Sequence, residues 1–274
     1  VQRLIGRIQP LENLVRVTEQ ARLKGYNSIN YDLIYGLPLQ TAEKLQVTLQ
    51  EVIKLRPDRI AFYGYAHVPW KSRAQRLYDE SHLPSPDARM ALYEQGREAF
   101  LAAGYLDIGM DHFALPEDGL VQAYQTKQLH RNFMGYTAQP TRMLLGLGVS
   151  AISDLGMAFG QNSKELAQWE RMVDAGEFPV NKGRMLSADD ALRQELILSM
   201  SCQGEVELSE DWYFEPHQRA LLEQMQADGL IIRDQNKLIL TSAGQLFTRH
   251  ACSLFDAYLP APEARLDKQF SQAV

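Results

Sequence analysis

Cysteine is scarce in this sequence, and long apolar runs and a basic excess are absent. The 274 residues include two cysteines, Cys202 and Cys252, and neither lies in a ligand-spaced cluster, so the sequence predicts no disulfide framework and no metal site. Such sparse use of cysteine favours a reducing, cytoplasmic location. No apolar run reaches the ~20 residues that a membrane-spanning helix needs, and nothing resembles a signal peptide, so we expect no membrane partner.

The bulk composition predicts a globular protein with one large domain or two smaller ones. Apolar residues make up 45% of the chain and charged residues 23%. The formal net charge of -6 argues against a protein that binds polyanions over its whole surface, although it leaves room for a local basic pocket. The sequence begins at Val1 inside a helical pattern, from which we expect a piece of a longer protein.

One carboxylate, Asp32, interrupts an apolar and aromatic run over residues 29–35. This composition predicts a strand buried on both faces, followed by a turn at Gly36 and Pro38 and a helix from Thr41. A buried carboxylate is costly unless a hydrogen-bond donor or a cation meets it. Asp32 therefore either forms a structural ion pair with a neighbouring helix or contacts a ligand near the C-terminal end of a parallel strand, and spacing alone does not decide between the two.

The order of predicted elements in residues 1–178 indicates an α/β domain. Helical character is expected over 1–24, further helices over 41–55, 87–103 and 163–175, and buried strands over 59–68 and 105–113. A strand, a helix and a second strand form a βαβ unit with parallel strands. The polar and aromatic segment 129–137 predicts a loop that contacts a ligand. The glycines over 144–153, Gly146 and Gly148, permit a close approach of the backbone to a neighbouring segment or to a ligand.

Residues 179–274 have a different pattern, that of a mostly helical, winged-helix-like domain. Ser187 is a plausible N-cap for one helix, and a second helix is predicted over 218–227. Two short strands, 230–233 and 237–240, flank a polar turn, and a last helix is expected from 241 to 258. Such a domain raises the alternative of a nucleic-acid-binding protein. The helix over 218–227 has one arginine and one glutamate, however, and this low positive charge disfavours nucleic acid as a partner.

Four separated motifs carry a resemblance to a known family. They are Asp-Leu-Ile-Tyr-Gly-Leu-Pro at 32–38, Gly-Met-Asp-His-Phe-Ala at 109–114, His-Arg-Asn-Phe at 130–133 and Gly-Val-Ser-Ala-Ile-Ser at 148–153. In this order they resemble the oxygen-independent coproporphyrinogen III oxidases of the radical S-adenosylmethionine superfamily. The resemblance implies the C-terminal part of a partial (β/α)6 TIM-like barrel followed by the winged-helix-like domain. It also implies radical oxidative decarboxylation of two propionates of coproporphyrinogen III, giving protoporphyrinogen IX in haem biosynthesis.

The sequence departs from that family at the iron-sulfur cluster. The family holds a [4Fe-4S] cluster on a Cys-x3-Cys-x2-Cys loop, and these 274 residues contain no such run. The resemblance thus implies S-adenosylmethionine as cofactor and a cluster whose ligands are absent from this chain. We expect the chain alone to be inactive and to need the missing N-terminal half of the barrel. We also expect the open sheet edge at the Asp32 strand to promote self-association.

The resemblance assigns several residues to S-adenosylmethionine. Arg7 and Asp32 match cofactor contacts, and Ala66 matches a backbone contact. Ile152 matches a position near the adenine or near a second cofactor molecule, and Phe133 and Met134 match the neighbourhood of that second molecule. A carboxylate suits the cofactor's hydroxyl or ammonium groups, and a guanidinium suits its carboxylate.

The substrate of the family carries four carboxylates, so cations are expected around it. Arg131 and Arg142 are the candidates, with Lys71 and Arg73 as further ones, and ordinary surface charge is the alternative for each. His112 and His130 are candidates for proton or hydrogen-bond partners, or else structural histidines. A haem-handling relative in the same superfamily shares the motif at 32–38, whereas the motifs at 111–113 and 130–133 favour the oxidase.

Overall fold

The computed structural model describes residues 1–70, 72–141 and 143–259. Two of the predicted substrate cations, Lys71 and Arg142, lie outside the described residues. Contacts divide the described chain into two compact units, Val1–Gln125 and Thr126–Leu259. The predicted domain boundary, which falls between residues 178 and 179, stays a prediction.

The first unit is a four-stranded sheet with helices. Along the described chain its elements are α1 (Leu11–Leu23), β1 (Asn30–Tyr35), α2 (Ala42–Leu55), β2 (Arg59–Gly64), two 3-10 helices (Arg73–Leu77 and Glu80–His82), α3 (Pro86–Ala102), β3 (Leu106–Gly109), β4 (His112–Ala114) and α4 (Gly119–Gln125). The strand order is β1-β2-β4-β3. β1 and β2 are parallel, whereas β4 runs antiparallel to both of its neighbours.

The predicted βαβ unit is confirmed, and local signals explain its boundaries. The Thr41 hydroxyl accepts the N–H of Lys44 and caps α2, which ends where Arg56 takes a left-handed conformation. The predicted single strand over 105–113 is wrong. Met110 and Asp111 form a turn there, with Met110 at φ 49°, so the segment folds back as the hairpin β3–β4.

The core of the first unit lies between the sheet and helices α2 and α3. Its largest fully buried side chains include Phe62, Phe100 and Phe113. Gly96 in α3 makes the packing of Phe62 possible, because a Cβ at Gly96 would lie 2.3 Å from the Phe62 ring. The core therefore depends on a residue without a side chain at this point of the helix.

A buried ionic network joins β2 to the segment before α4. The carboxylate of Asp118, whose side chain is 2% exposed, accepts hydrogen bonds from Arg59 Nε at 2.8 and 2.9 Å. It also accepts the Ser28 hydroxyl at 2.9 Å and the N–H of Leu120 at 2.7 Å. Asp118 is thus a carboxylate whose role is structural.

The second unit holds three small antiparallel sheets and four helices among the described residues. Its elements are β5 (His130–Asn132), β6 (Gly135–Thr137), β7 (Ile152–Asp154), β8 (Ala158–Asn162), α5 (Leu166–Asp174), β9 (Val180–Met185), α6 (Ala188–Gln203), β10 (Glu205–Glu207), α7 (Pro216–Ala227), β11 (Ile231–Asp234), β12 (Lys237–Leu240), a 3-10 helix (Gly244–Phe247) and α8 (Thr248–Ser253). The strand orders are β5-β6, β7-β8-β9 and β10-β12-β11.

Some predictions for the second unit are wrong and others are confirmed. The segment 129–137 is a β-hairpin, β5–β6, rather than a loop. The last helix does not run from 241 to 258, because a 3-10 helix leads into the short α8. The strand pair β11–β12 is confirmed, and Ser187 caps α6 in a capping box with Asp190. Within the described part of the chain, every helix is too short or too polar to cross a bilayer.

Candidate cofactor and substrate site

Asp32 is exposed, and the prediction of a strand buried on both faces is wrong. β1 alternates, with Tyr31 and Tyr35 buried on one face and Asp32 and Ile34 exposed on the other. The Asp32 carboxylate accepts a hydrogen bond from the side chain of Asn30 at 2.8 Å. Among the described residues no lysine or arginine forms an ion pair with it, so the structural ion-pair interpretation finds no support there.

Ala66 lies just beyond the C-terminal end of β2, the parallel neighbour of β1. The N–H of Tyr65 donates to the carbonyl of Tyr35 at 2.8 Å and continues the ladder one step past the strands. Ala66 follows and is exposed. Asp32 pairs with Ala61 in mid-strand, so Ala66 comes five residues after the partner of Asp32 along the chain. The two positions share one sheet without being direct neighbours.

A cluster of ring side chains that sequence reasoning missed surrounds the segment after β2. The Tyr65 hydroxyl contacts the hydroxyl of Tyr78 and lies 3.4 Å from His67 Nδ1. Burial, together with the hydrogen bond to Tyr78, raises the pKa of Tyr65 well above its ordinary value. No sequence signal predicts this contact, because Tyr78 comes from the chain beyond the 3-10 helix Arg73–Leu77.

Arg7 and His112, two of the predicted site residues in the first unit, differ in burial. Arg7 lies exposed before α1, where its backbone N–H donates to the carbonyl of Gln2 at 3.0 Å, and no contact of the described residues joins it to Asp32. His112 is buried in β4, with its ring edge-on to Tyr63 at a centroid distance of 6.1 Å. The burial of His112 favours the structural alternative for this histidine.

In the second unit, the hairpin β5–β6 carries Phe133 and Met134 at its tip. Both side chains are exposed, and the Phe133 ring packs edge-on against Phe159 of β8 at a centroid distance of 5.3 Å. β8 pairs with β7, which begins at Ile152. The structure therefore brings Phe133 to the same small sheet as Ile152.

Gly146 confirms the predicted close approach of backbone segments at residues 144–153. A Cβ at Gly146 would lie 2.5 Å from the carbonyl oxygen of Ile152. The pairing of Leu144 with Asp154 fixes this approach. A glycine is thus needed opposite the start of β7.

Arg131 is a fixed cation rather than a freely solvated one. Its guanidinium lies over the Tyr136 ring, 5.0 Å from the centroid. Its Nη1 atom is buried and has no hydrogen-bond partner among the described residues. The Tyr136 hydroxyl donates to the carbonyl of Ser201 at 2.5 Å, and burial raises the pKa of Tyr136. His130 begins β5 beside Arg131 and is half-buried.

The two cysteines do not fit an iron-sulfur cluster. Cys202 is buried in α6 and Cys252 is partly buried in α8. Burial raises the pKa of Cys202 and raises that of Cys252 to about 12, whereas iron binds the thiolate. Over residues 1–70, 72–141 and 143–259, no group of three or more potential ligands is placed to hold a metal ion.

Comparison with known proteins gives strong similarities to one enzyme, although no family model matches the chain. The chain is 40% identical to the oxygen-independent coproporphyrinogen III oxidase of Pseudomonas aeruginosa over 269 residues, which are 95% of this chain and 58% of that protein. It is 39% identical to the Escherichia coli protein of the same name, over 100% of this chain and 61% of the relative.

A solved structure agrees with these relatives. The coproporphyrinogen III oxidase of Escherichia coli, described as a radical SAM enzyme, superposes with a TM-score of 0.88 at 39% identity, covering 94% of this chain and 61% of that one. The chain spans about three fifths of the length of the relatives that it matches. Over nearly its whole length, the chain is therefore similar in sequence and in fold to part of the oxygen-independent coproporphyrinogen III oxidases.

Proposed function

We propose that this chain is the C-terminal portion of an oxygen-independent coproporphyrinogen III oxidase, the part that binds substrate and one side of S-adenosylmethionine. The observation that carries the proposal is the joint match in sequence and structure, at 39% identity and a TM-score of 0.88. On this proposal the βαβ unit belongs to a partial (β/α)6 barrel. The order α6, β10, α7, β11, β12 supports a winged-helix-like domain after it.

Asp32 is the first-unit residue that fits S-adenosylmethionine best. Its carboxylate is exposed on a strand, is oriented by Asn30 and lacks a cationic partner among the described residues. Such a group accepts hydrogen bonds from ribose hydroxyls or from an ammonium group. Arg7 would meet the carboxylate of the cofactor, and the backbone of Ala66 would supply a further contact. The cofactor supplies the radical chemistry when bound, and the protein binds and orients it.

Within the second unit, taken by itself, apolar side chains suit a cofactor molecule and one cation suits the substrate. Phe133, Met134 and Ile152 present exposed or half-buried apolar side chains on adjoining elements, which suit an adenine ring. Arg131, with a buried and unsatisfied Nη1 in the described structure, suits a propionate of the substrate. His130 beside it would donate a hydrogen bond, whereas His112 is the weaker candidate because it is buried.

The cluster would be held by residues outside these 274, since Cys202 and Cys252 do not fit it. We predict that the chain alone forms no 5'-deoxyadenosine after reconstitution with iron and sulfide. Cluster absorbance together with 5'-deoxyadenosine in such a sample would contradict the prediction.

We expect a partner at the open edge of β1. β1 has a strand on one side only in the sheet of the described residues, and the remaining part of the enzyme, or a second copy of the chain, would pair with that edge. A monomer at all concentrations in analytical ultracentrifugation would count against self-association.

A ligand titration tests the proposed function against the haem-handling alternative. Coproporphyrinogen III and haem are each titrated into the chain under anaerobic conditions, with tryptophan fluorescence as the signal. The oxidase proposal predicts saturable binding of coproporphyrinogen III that Arg131→Ala weakens about tenfold or more, because a charge-assisted contact is lost. Preferential binding of haem, unaffected by that substitution, would refute it.

A further inference from the structure

The backbone after β2 is held by one side-chain amide, that of Gln75. Gln75 lies in the 3-10 helix Arg73–Leu77 and reaches back to the segment that follows the strand. Its Oε1 accepts the N–H of Val68 at 2.5 Å, and its Nε2 donates to the carbonyl of Ala66 at 3.1 Å. The amide therefore bonds this segment as a neighbouring strand would, with one donor and one acceptor.

Two further hydrogen bonds, one from Arg76 in the same helix and one from its N-cap Ser72, also hold this segment. Arg76 Nε donates to the carbonyl of Pro69 at 2.9 Å, and the N–H of Ser72 donates to the carbonyl of Val68 at 3.0 Å. Residues 66–69 are thus fixed by the 3-10 helix although they belong to no strand. A segment without regular structure near the surface is otherwise among the most mobile parts of a protein.

Fixing this segment leaves one backbone group available. The N–H of Ala66 has no hydrogen-bond partner among the described residues, and Ala66 is exposed. One acceptor position of its carbonyl is used by Gln75. The group that Ala66 can offer to a ligand is therefore an N–H donor that lies between two fixed groups, the Tyr65 N–H bonded to Tyr35 and the Ala66 carbonyl bonded to Gln75.

We infer that Gln75 is a positioning residue for S-adenosylmethionine, acting by holding the Ala66 N–H ready to donate to an acceptor atom of the cofactor. The inference rests on the proposed function. An ordered donor loses less conformational entropy on binding than a mobile one, so the affinity depends on Gln75 although its side chain does not touch the ligand. Gln40 contacts the backbone after β1 in a similar but longer way, at 3.2 Å from Leu37 N and 3.4 Å from Ile34 O.

The test compares three variants by calorimetric titration with S-adenosylmethionine. Gln75→Ala removes both hydrogen bonds. We expect its Kd for S-adenosylmethionine to rise about tenfold, which corresponds to the net free energy of roughly one hydrogen bond. Gln75→Glu keeps the acceptor for Val68 but loses the donor to Ala66, and we expect a rise of about threefold. Gln50→Ala, at an exposed position of α2, is the matched control and should bind as the unaltered chain does.

Hydrogen exchange supplies a readout that does not depend on the ligand. The amide of Val68 should exchange slowly in the unaltered chain and at least tenfold faster in Gln75→Ala, while core amides of β2 keep their rates. Equal Kd values for the unaltered chain and Gln75→Ala would overturn the inference. If the unaltered chain does not bind S-adenosylmethionine, the proposed function and the ligand named here are overturned. If the Val68 amide then also exchanges at the same rate in Gln75→Ala as in the unaltered chain, the role of Gln75 is overturned as well.

Discussion

Removal of the carboxylate should destabilise the protein strongly at one aspartate of the first unit, Asp118, and hardly at all at another, Asp32. Asp118 is buried and accepts hydrogen bonds from Arg59, Ser28 and the backbone of Leu120, whereas Asp32 is exposed and accepts one from Asn30. Asp118→Ala leaves the Arg59 guanidinium without its partner. Removing one member of a buried ion pair costs roughly 3–5 kcal/mol.

The exposure of Arg59 decides where in that range the cost falls. Its side chain is 27% exposed, so water can solvate part of the charge that is left behind. We therefore expect Asp118→Ala to lower the free energy of unfolding by about 3 kcal/mol, near the lower end of the range. Asp32→Ala should change it by no more than about 0.5 kcal/mol, as for most exposed positions.

Urea-induced unfolding measures both changes. Circular dichroism and tryptophan fluorescence are followed together, because a chain with two units unfolds in one step only if both signals coincide. A loss of stability for Asp32→Ala as large as that for Asp118→Ala would refute the reasoning, since it would mean that Asp32 also has a structural partner.

Two further predictions concern packing and pH. Gly96→Ala should lower the free energy of unfolding by about 1–2 kcal/mol, because the new Cβ collides with the Phe62 ring, and urea unfolding of the double variant with Phe62→Leu should recover part of the loss. The Tyr258 hydroxyl and the backbone and side chain of Ser187 lower the pKa of Asp190 to about 2 from its ordinary 3.8. A depressed folded-state pKa stabilises the fold fully above about pH 4, and the stabilisation is lost as the pH falls toward 2. The difference in stability between the unaltered chain and Asp190→Asn should shrink over that range, and a difference that is constant with pH would contradict the assignment.

The sequence predicts elements well where a local signal marks their ends. Thr41 and Ser187 cap helices where expected, and the apolar spacing of α2 and α3 matches their buried faces. The strand β1 is also predicted, but its burial is not. The alternation of Tyr31 and Tyr35 with Asp32 and Ile34 has the two-residue period of a strand with one open face, and this signal was available in the sequence.

Short hairpins are harder to predict because their strands are too short to show a period. β4, β5 and β6 each contain three residues, fewer than the alternation needs to be recognised. Gly109 and Gly135, both with positive φ, are local signs of chain reversal, but they do not fix the strands beside them. The contacts of Gln75 and Tyr78 with the segment after β2 follow from tertiary structure, and no periodicity predicts them.

For the proposed site, four motifs in the expected order identified the family, whereas the geometry of single residues did not follow from them. The resemblance implies that Phe133 lies near a second cofactor molecule and Ile152 near that molecule or near the adenine, and these assignments stay predictions. The structure shows that Phe133 contacts the sheet that contains Ile152. It also paired Arg7 with Asp32, for which the described contacts give no direct link. The burial of His112 depends on strand β4, which the sequence did not predict as a separate strand.

We propose that this chain binds S-adenosylmethionine through the exposed carboxylate of Asp32, which is held by Asn30 and forms no ion pair among the described residues. The most direct test of this claim is calorimetric titration of the cofactor into the chain and into Asp32→Asn, at equal stability of the two proteins. Loss of a charge-assisted hydrogen bond predicts a Kd raised about tenfold to a hundredfold for the variant. Equal affinities would contradict the claim.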